Sequence, residues 1–391
     1  MSFLTYPNTD QQKKLLALAG GLADIFAKRA ARDEWEGRFP LANYEDLRQS
    51  GYLSLTVPRD LGGWGAPLAD VVLAQQRLAQ GCASTALVVS MHLSVITTLE
   101  AGLGSDDALF ARICQSVVQE GALINGALTE PGGGSFSRGG RFSTVARRQQ
   151  DGSWRIDGRK SYTSGSYALN FFVIGAALED EASDHHLAPL EADQGFFLVP
   201  AGAPGLHIED TWHTLSMRGT ASNDAVLDDV HVEPSAYMNG HIFANTSSWT
   251  LLTAAVYLGI AQAARDEAVQ FARTHHPNSL DRPIASVPHV QEKVAKMDLA
   301  LLQSRAVLFA IAEELDRNPS HVPASSAAAA KYLVTNHAVE VVDLAMRLVG
   351  GASLSLHSVL QRHYRDVRAG LHNSPMDDTT LALLSKDAFA E

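Results

Sequence analysis

Cysteine, basic residues and long apolar runs are all scarce in this chain, and each scarcity excludes something. The 391 residues include only two cysteines, Cys82 and Cys114, both in apolar helical context and without CxxC spacing. That excludes a disulfide framework and a cysteine zinc site, and predicts two buried thiols. Lys and Arg number 31 against 43 Asp and Glu, a formal net charge of −12. A nucleic-acid surface, which needs clustered cations to displace counterions from phosphates, is thereby excluded, although local basic residues leave room for an anionic small ligand. The longest apolar stretch, about 251–264, is short and interrupted by Thr253, Tyr257 and Gln262, and the N-terminus lacks a basic-then-apolar leader pattern. The expectation is a cytoplasmic protein with no membrane span and no nucleic-acid partner. No HExxH occurs, and His185-His186 and His275-His276 place both imidazoles too close along the chain to face one ion from a rigid element, so no metal site is expected.

Apolar periodicity divides what is there into three parts. In the first, 1–120, helical spacing runs through Leu15, Leu18, Leu22, Ile25 and Phe26, through a short helix ending at Gly51, and again over 68–78 and 86–99. The 86–99 helix is apolar nearly all round, which marks it as buried, and His92 lies inside it. A further helix reaches about Glu120. In the second part, 121–235, short runs rich in β-branched and aromatic residues (154–156, 171–174, 196–199 and 225–232) alternate with turn signals, and Asp151-Gly152 and Asp157-Gly158 supply hairpin chemistry. The acidic, unpatterned 178–194 reads as an exposed loop. In the third, 236–391, three long helical patterns carry spacings of three and four, with His337 on a packing face, and Gly350-Gly351 stops the last of them. The predicted fold is mainly α with a central β domain: an N-terminal helical domain, a small antiparallel β domain and a C-terminal four-helix bundle.

The glycine-rich stretch 126–137 opens the β part. Glycines directly after an apolar segment let backbone N–H groups approach a ligand, and Thr129 and Ser135 add hydroxyls. A phosphate-bearing cofactor suits such a loop; an ordinary glycine hairpin is the alternative. The common templates fail: there is no strand-to-helix GxGxxG, no P-loop lysine follows the glycines, and Gly133-Gly134-Ser135-Phe136-Ser137 lacks the last glycine of a nucleophile elbow.

The order of motifs resembles the acyl-CoA dehydrogenase superfamily of flavoproteins over essentially the whole chain. The pieces are Val57-Pro58-Arg59-Asp60-Leu61-Gly62-Gly63-Trp64-Gly65, Thr129-Glu130-Pro131-Gly132-Gly133-Gly134-Ser135, Asp157-Gly158-Arg159-Lys160-Ser161-Tyr162-Thr163-Ser164-Gly165, Met217-Arg218-Gly219-Thr220-Ala221-Ser222, Leu258-Gly259-Ile260-Ala261-Gln262-Ala263-Ala264, and Gly350-Gly351 leading into Arg362-His363-Tyr364-Arg365-Asp366-Val367-Arg368. The resemblance implies FAD, or alternatively FMN, held between the β domain and the C-terminal bundle of a homotetramer. Leu128 and Thr129 would meet the flavin ring edge, Ser135 the pyrophosphate, and Tyr162 with Thr163 or Ser164 the isoalloxazine face. Gly350 and Gly351 would approach the adenosine half bound by a neighbouring subunit, or simply cap a helix. These are sensible types, since an aromatic ring stacks and hydroxyls satisfy a heterocycle that holds extra charge when reduced.

In the same terms the implied reaction is α,β-dehydrogenation of an acyl thioester, with an acyl-CoA as substrate and an electron acceptor protein as partner. That reaction needs a desolvated carboxylate as base. The run Ala369-Gly370-Leu371-His372-Asn373-Ser374-Pro375-Met376-Asp377-Asp378 has no Glu where the family carries one, and the second family position, around Trp249, is not acidic either. Asp377 and Asp378 are the nearby acidic candidates, unless they only cap the helix that follows. Lys160-Ser161-Tyr162-Thr163-Ser164-Gly165, one residue shorter than the dehydrogenase motif, and Leu371-His372 before a proline resemble instead the dibenzothiophene monooxygenase branch, where flavin reduced by a flavin reductase reacts with oxygen. His92, Thr163 and His372 would then be the matching positions, with a core role open for His92 and a structural turn for His372.

Overall fold

A computed structural model describes residues 6–132, 140–180, 192–239, 242–243 and 246–389. Gly133, Gly134, Ser135, the His185-His186 pair and most of the expected acidic loop lie outside the described residues.

The N-terminal part is built from α1 (Asp10–Glu36), α2 (Leu41–Ser50), α3 (Leu68–Ala79), α4 (Ala83–Leu103) and α5 (Ala108–Glu120). The Thr9 hydroxyl accepts from the Gln12 N–H to start α1, whose inward stripe of Leu15, Ala19, Leu22, Phe26 and Ala30 follows the three-and-four spacing read from the sequence. α4 is long and apolar enough to cross a membrane by length and composition, but two-thirds of that stretch is buried inside the fold, as its lack of a polar face requires. Cys114 is buried and Cys82 half-buried, both as free thiols.

The middle part is one sheet of β1 (Ile124–Ala127), β2 (Val145–Arg148), β3 (Trp154–Thr163), β4 (Phe171–Asp180), β5 (Gln194–Pro200), β6 (Leu206–Glu209), β7 (Asn223–Val232) and β8 (Tyr237–Met238). Their order is β6-β7-β3-β2-β4-β5-β8, with β1 added on β4. The expectation of a purely antiparallel domain is corrected here. β4 runs parallel to both β1 and β2, which share one of its edges, first half and second half. Asp151-Gly152 does turn the β2–β3 hairpin, with the Gln149 N–H donating to the Ser153 carbonyl. Asp157-Gly158 does not make a hairpin. It lies inside β3 at a shift in register with β7, and a Cβ on Gly158 would sit 2.7 Å from the Thr144 Cα, so the glycine marks a bulge under close backbone contact.

The last part holds three long helices, α6 (Ser247–Thr274), α7 (Pro288–Arg317) and α8 (Ala324–Val349), followed by α9 (Val359–Asp366) and α10 (Asp377–Ala388). Along α6, Leu251, Leu252, Val256, Tyr257 and Ile260 are fully enclosed, each contributing roughly 1.5–3 kcal/mol of apolar burial. α6 also presses on α3 so closely that a Cβ on Gly259 would meet the Gln76 carbonyl oxygen at 2.5 Å. The bundle therefore does not stand apart from the N-terminal helices. A seam runs from the end of β3 to α9 through the 217–220 loop, where the Gly165 N–H meets the Thr220 carbonyl and the Met217 N–H meets Asp366.

Candidate flavin site on the seam between the sheet and the last helices

β1 delivers Leu128 and Thr129 half-buried to the end of the sheet, where the Thr129 carbonyl accepts from the Ser161 N–H at 2.8 Å. The next residue fixes this exit. Buried Glu130 accepts from the Lys160 ammonium at 2.6 Å and from the Ser143 and Thr144 N–H groups at 2.5 and 2.9 Å. Burial pushes its carboxyl up, but the bonds from Lys160 and the two backbone N–H groups outweigh that and hold it at about 2. The pair ties the glycine-loop strand to the strand bearing the tyrosine motif.

At the end of β3 the backbone turns abnormally. Tyr162 has φ +55° and stands 63 % exposed, edge-on to Trp212 at 5.8 Å between ring centroids. Beside it Thr163 is fully enclosed, with no partner for its hydroxyl among the described residues. Ser164 donates to or accepts from the Ser222 hydroxyl at 2.8 Å, and its carbonyl accepts from the Asn125 amide at 2.9 Å. Facing this loop, Met217 and Ala221 also have positive φ, so three of the four such non-glycine residues among the described ones converge on the seam. Each costs about 1–3 kcal/mol and persists only where neighbours over-determine it, a pattern concentrated at ligand sites. The neighbours here are the Gly165 N–H on the Thr220 carbonyl at 2.7 Å, the Trp212 indole N–H on the Met217 carbonyl at 3.0 Å, and the Met217 N–H on the Asp366 carboxylate at 2.7 Å. Asp366 thus ties α9 to the 217–221 loop that faces the tyrosine turn, while the 367–371 turn after it packs on α6 and α8. Burial raises its carboxyl to about 6, against the pull of the Met217 N–H and Arg362. Asp366 was legible only as part of a motif; nothing in the sequence marks its burial.

His372 follows at the exposed end of a short 3₁₀ turn, Val367–Leu371. Asp377 and Asp378 come next in the chain. They open α10, where Asp377 accepts from the Asn336 amide of α8 at 3.1 Å and Asp378 accepts from the Thr379 N–H. Gly350 and Gly351 lie at the far end of α8, both exposed, with nothing within 4 Å of a Cβ built on either. His92, for which a core role was left open, is completely buried, with Nε2 at 2.8 Å from the Leu53 carbonyl oxygen and Nδ1 accepting from the Ile124 N–H at 3.1 Å. Burial lowers its pKa to about 4, so a neutral imidazole pins β1 to α4 and has no nitrogen left for chemistry.

These features match a known architecture end to end. The acyl-CoA dehydrogenase N-terminal domain profile matches residues 9–108, the middle domain profile 125–230 and the C-terminal domain profile 250–371. The chain belongs to the acyl-CoA dehydrogenase family. It is 45 % identical to the putative acyl-CoA dehydrogenase YdbM of Bacillus subtilis over 97 % of this chain and 98 % of that protein. It is 30 % identical to the amino sugar nitrososynthase DnmZ of Streptomyces peucetius over 96 % and 93 %. KijD3, solved in complex with FMN and a dTDP-linked amino keto sugar, superposes with a TM-score of 0.83 at 27 % identity over 98 % of this chain and 94 % of that one. The family is one of flavin enzymes, and a flavin is supported for this chain. The seam fits one: the enclosed Thr163 hydroxyl lacks a partner, and the Tyr162 ring is held out to solvent on a strained backbone.

Proposed function

We propose that the protein is a monooxygenase that takes reduced flavin from a separate flavin reductase and oxygenates a small organic substrate. The observation that carries this reading is where the carboxylates point. Dehydrogenation of an acyl thioester requires a carboxylate over the substrate to remove the α-proton. Asp377 accepts from Asn336 on α8 and Asp378 from the Thr379 N–H of its own helix, whereas the side chain left exposed on the 367–376 segment after α9 is the His372 imidazole.

A bound, reduced flavin would supply electrons and activate oxygen. Around it Tyr162 offers a ring face, while Thr163 and Thr129 offer hydroxyls to the polar edge of the heterocycle, with Leu128 closing the apolar side. Ser164, locked to Ser222, keeps the turn from relaxing. His372 holds or delivers a proton at an imidazole nitrogen as oxygen is reduced. Ser135 would take the phosphate side of either FAD or FMN. With FAD, the open surface at Gly350 and Gly351 would meet the adenosine half bound by another subunit of a homotetramer.

The second reading is dehydrogenation of an acyl-CoA with electrons passed to an acceptor protein. Asp366 is the observation in its favour, as a buried carboxylate on the seam with a raised pKa. Against it, one Asp366 oxygen already accepts the Met217 N–H. The two readings separate in one pair of assays. With flavin, a flavin reductase and isotopically labelled O2, the expected result is labelled oxygen in an organic product. Anaerobic mixing with acyl-CoAs of graded chain length is expected to leave the flavin band unbleached; bleaching by any of them would overturn the oxygenase reading.

A further inference from the structure

The segment 370–377 carries His372 and rests on two long helices, α6 and α8. Gly370 lies flat against α6 and α8: a Cβ there would be 3.0 Å from the Tyr257 ring and 3.1 Å from the Thr335 methyl. One residue past His372, two groups converge on Asn373. The Lys331 ammonium of α8, itself completely buried, donates to the Asn373 carbonyl at 2.9 Å, and the Tyr257 hydroxyl of α6 donates to the Asn373 side-chain oxygen. Farther on, Asn336 of α8 donates to Asp377. His372 therefore sits between a steric stop at Gly370 and a polar clamp at Asn373.

An enclosed ammonium is costly to bury, and a single neutral carbonyl is a poor return for it unless the held position matters. Lys331 also has two further N–H groups to place, while Oδ1 of Asp377 and the Thr380 hydroxyl are enclosed without partners. Resting on the seam being the reaction site, we propose that Lys331 is a positioning residue, whose ammonium acts through the Asn373 carbonyl to hold His372 at the flavin face. The charged group acting on Lys331 is Asp377 at the start of α10; the neutral Tyr257 hydroxyl of α6 shares Asn373 with it, and the Asn336 amide of α8 bonds Asp377. Burial lowers the Lys331 pKa to about 8, with Asp377 opposing. The clamp is then a charge-assisted bond below that pH and a weaker neutral one above it.

The test is the pH profile of product formation in the flavin-loaded enzyme, read beside hydrogen exchange of the 370–377 amides at pH 7 and pH 9. In the wild type, kcat is expected to fall above about pH 8, and the protection of the segment, measured against the intrinsic base-catalysed exchange rate at each pH, is expected to fall with it. Lys331→Arg, charged throughout the range, is expected to lose that alkaline limb. Lys331→Met is expected to lower kcat about 10- to 100-fold with a smaller change in KM, the scale of displacing a reacting group by about an ångström. Tyr257→Phe, which removes only the second hydrogen bond to Asn373, guards against a folding failure and is expected to give the same split to a smaller extent. Exchange of 370–377 that is identical in wild type, Lys331→Met and Tyr257→Phe would overturn the clamp. An alkaline limb that persists in Lys331→Arg would overturn it as well. Exchange is read without turnover, so loosening of the segment in an enzyme that forms no oxygenated product would keep the clamp while removing the oxygenase reading.

Discussion

Replacing Lys160 by Met tests the staple under the flavin loop. Both partners of the Lys160–Glu130 pair are enclosed, and the ammonium also lies 4.2 Å from the centre of the Phe142 ring. Methionine keeps most of the volume and the aromatic contact, so the loss is chiefly the charge. It leaves Glu130 buried with two backbone donors and no counter-ion, and breaking such a pair from one side costs about 3–5 kcal/mol. The Glu130 carboxyl, held at about 2 instead of 4.5, contributes about 3 kcal/mol at neutral pH, and burial of the Lys160 ammonium, which lowers it to about 8, offsets a similar amount, so the cost of the variant comes from leaving Glu130 charged and unpaired. The sign follows from a depressed folded-state pKa. The contribution is complete above about pH 4.5 and disappears as the pH falls toward 2. Without Lys160 the carboxyl titrates higher, so the deficit of the variant should be largest at pH 7 and shrink on acidification toward pH 4.5. Urea unfolding of wild type, Lys160→Met, Glu130→Gln and the double variant at pH 7 and pH 5 would measure it, with a coupling of at least about 2 kcal/mol expected at pH 7. Because Lys160 precedes the Ser161 N–H that holds Thr129, flavin affinity should fall about 10-fold in parallel. A deficit below about 1 kcal/mol, or one equal at both pH values, would refute the reasoning.

Other expectations follow from single groups. Thr163→Val removes a buried hydroxyl with no partner, so the flavin-free protein should be as stable as wild type or up to about 1 kcal/mol more stable, while flavin binds more weakly by titration fluorimetry. His92→Leu strands the Leu53 carbonyl and the Ile124 N–H, costing about 2–4 kcal/mol in urea unfolding. Because burial depresses the pKa of His92, its neutral form favours the fold and adds about 1.4 kcal/mol per pH unit to the loss of stability as the pH falls from about 6.5 toward 4; His92→Leu should remove that share and keep the one from buried His363, lowered to about 3. Asp377→Asn and Asp378→Asn should leave product formation within about threefold; a loss of 10²-fold or more, the scale for a proton-transfer group, would return the base to one of them.

Much of the fold was readable because it rests on local periodicity. The stripe of α1, the all-apolar α4 and the three-and-four spacing of the long C-terminal helices each state which face is buried. Strand pairing was less legible. β1 and β2 are four residues each, one half glycine and alanine, the other ending in two arginines, and their parallel registry with β4 depends on distant chain. Asp157-Gly158 misled because a bulge and a hairpin turn ask for the same glycine, and only the close approach of Thr144 distinguishes them. At the seam, Tyr162, Thr163 and Ser164 were visible as a motif, but a left-handed Tyr162 has no sequence signal. Lys331, in an alanine-rich helix, reads as an ordinary solvent-facing lysine until α6, α10 and the 370–377 segment close over it.

The measurement closest to the central claim is a crystal structure of the protein with bound flavin, reading which titratable side chain lies nearest N5 of the ring on its substrate side. The account expects the His372 imidazole there, with Asp377 still on Asn336 and Asp366 still on the Met217 N–H. A carboxylate from Asp366, Asp377 or Asp378 over N5, with His372 turned to solvent, would contradict it.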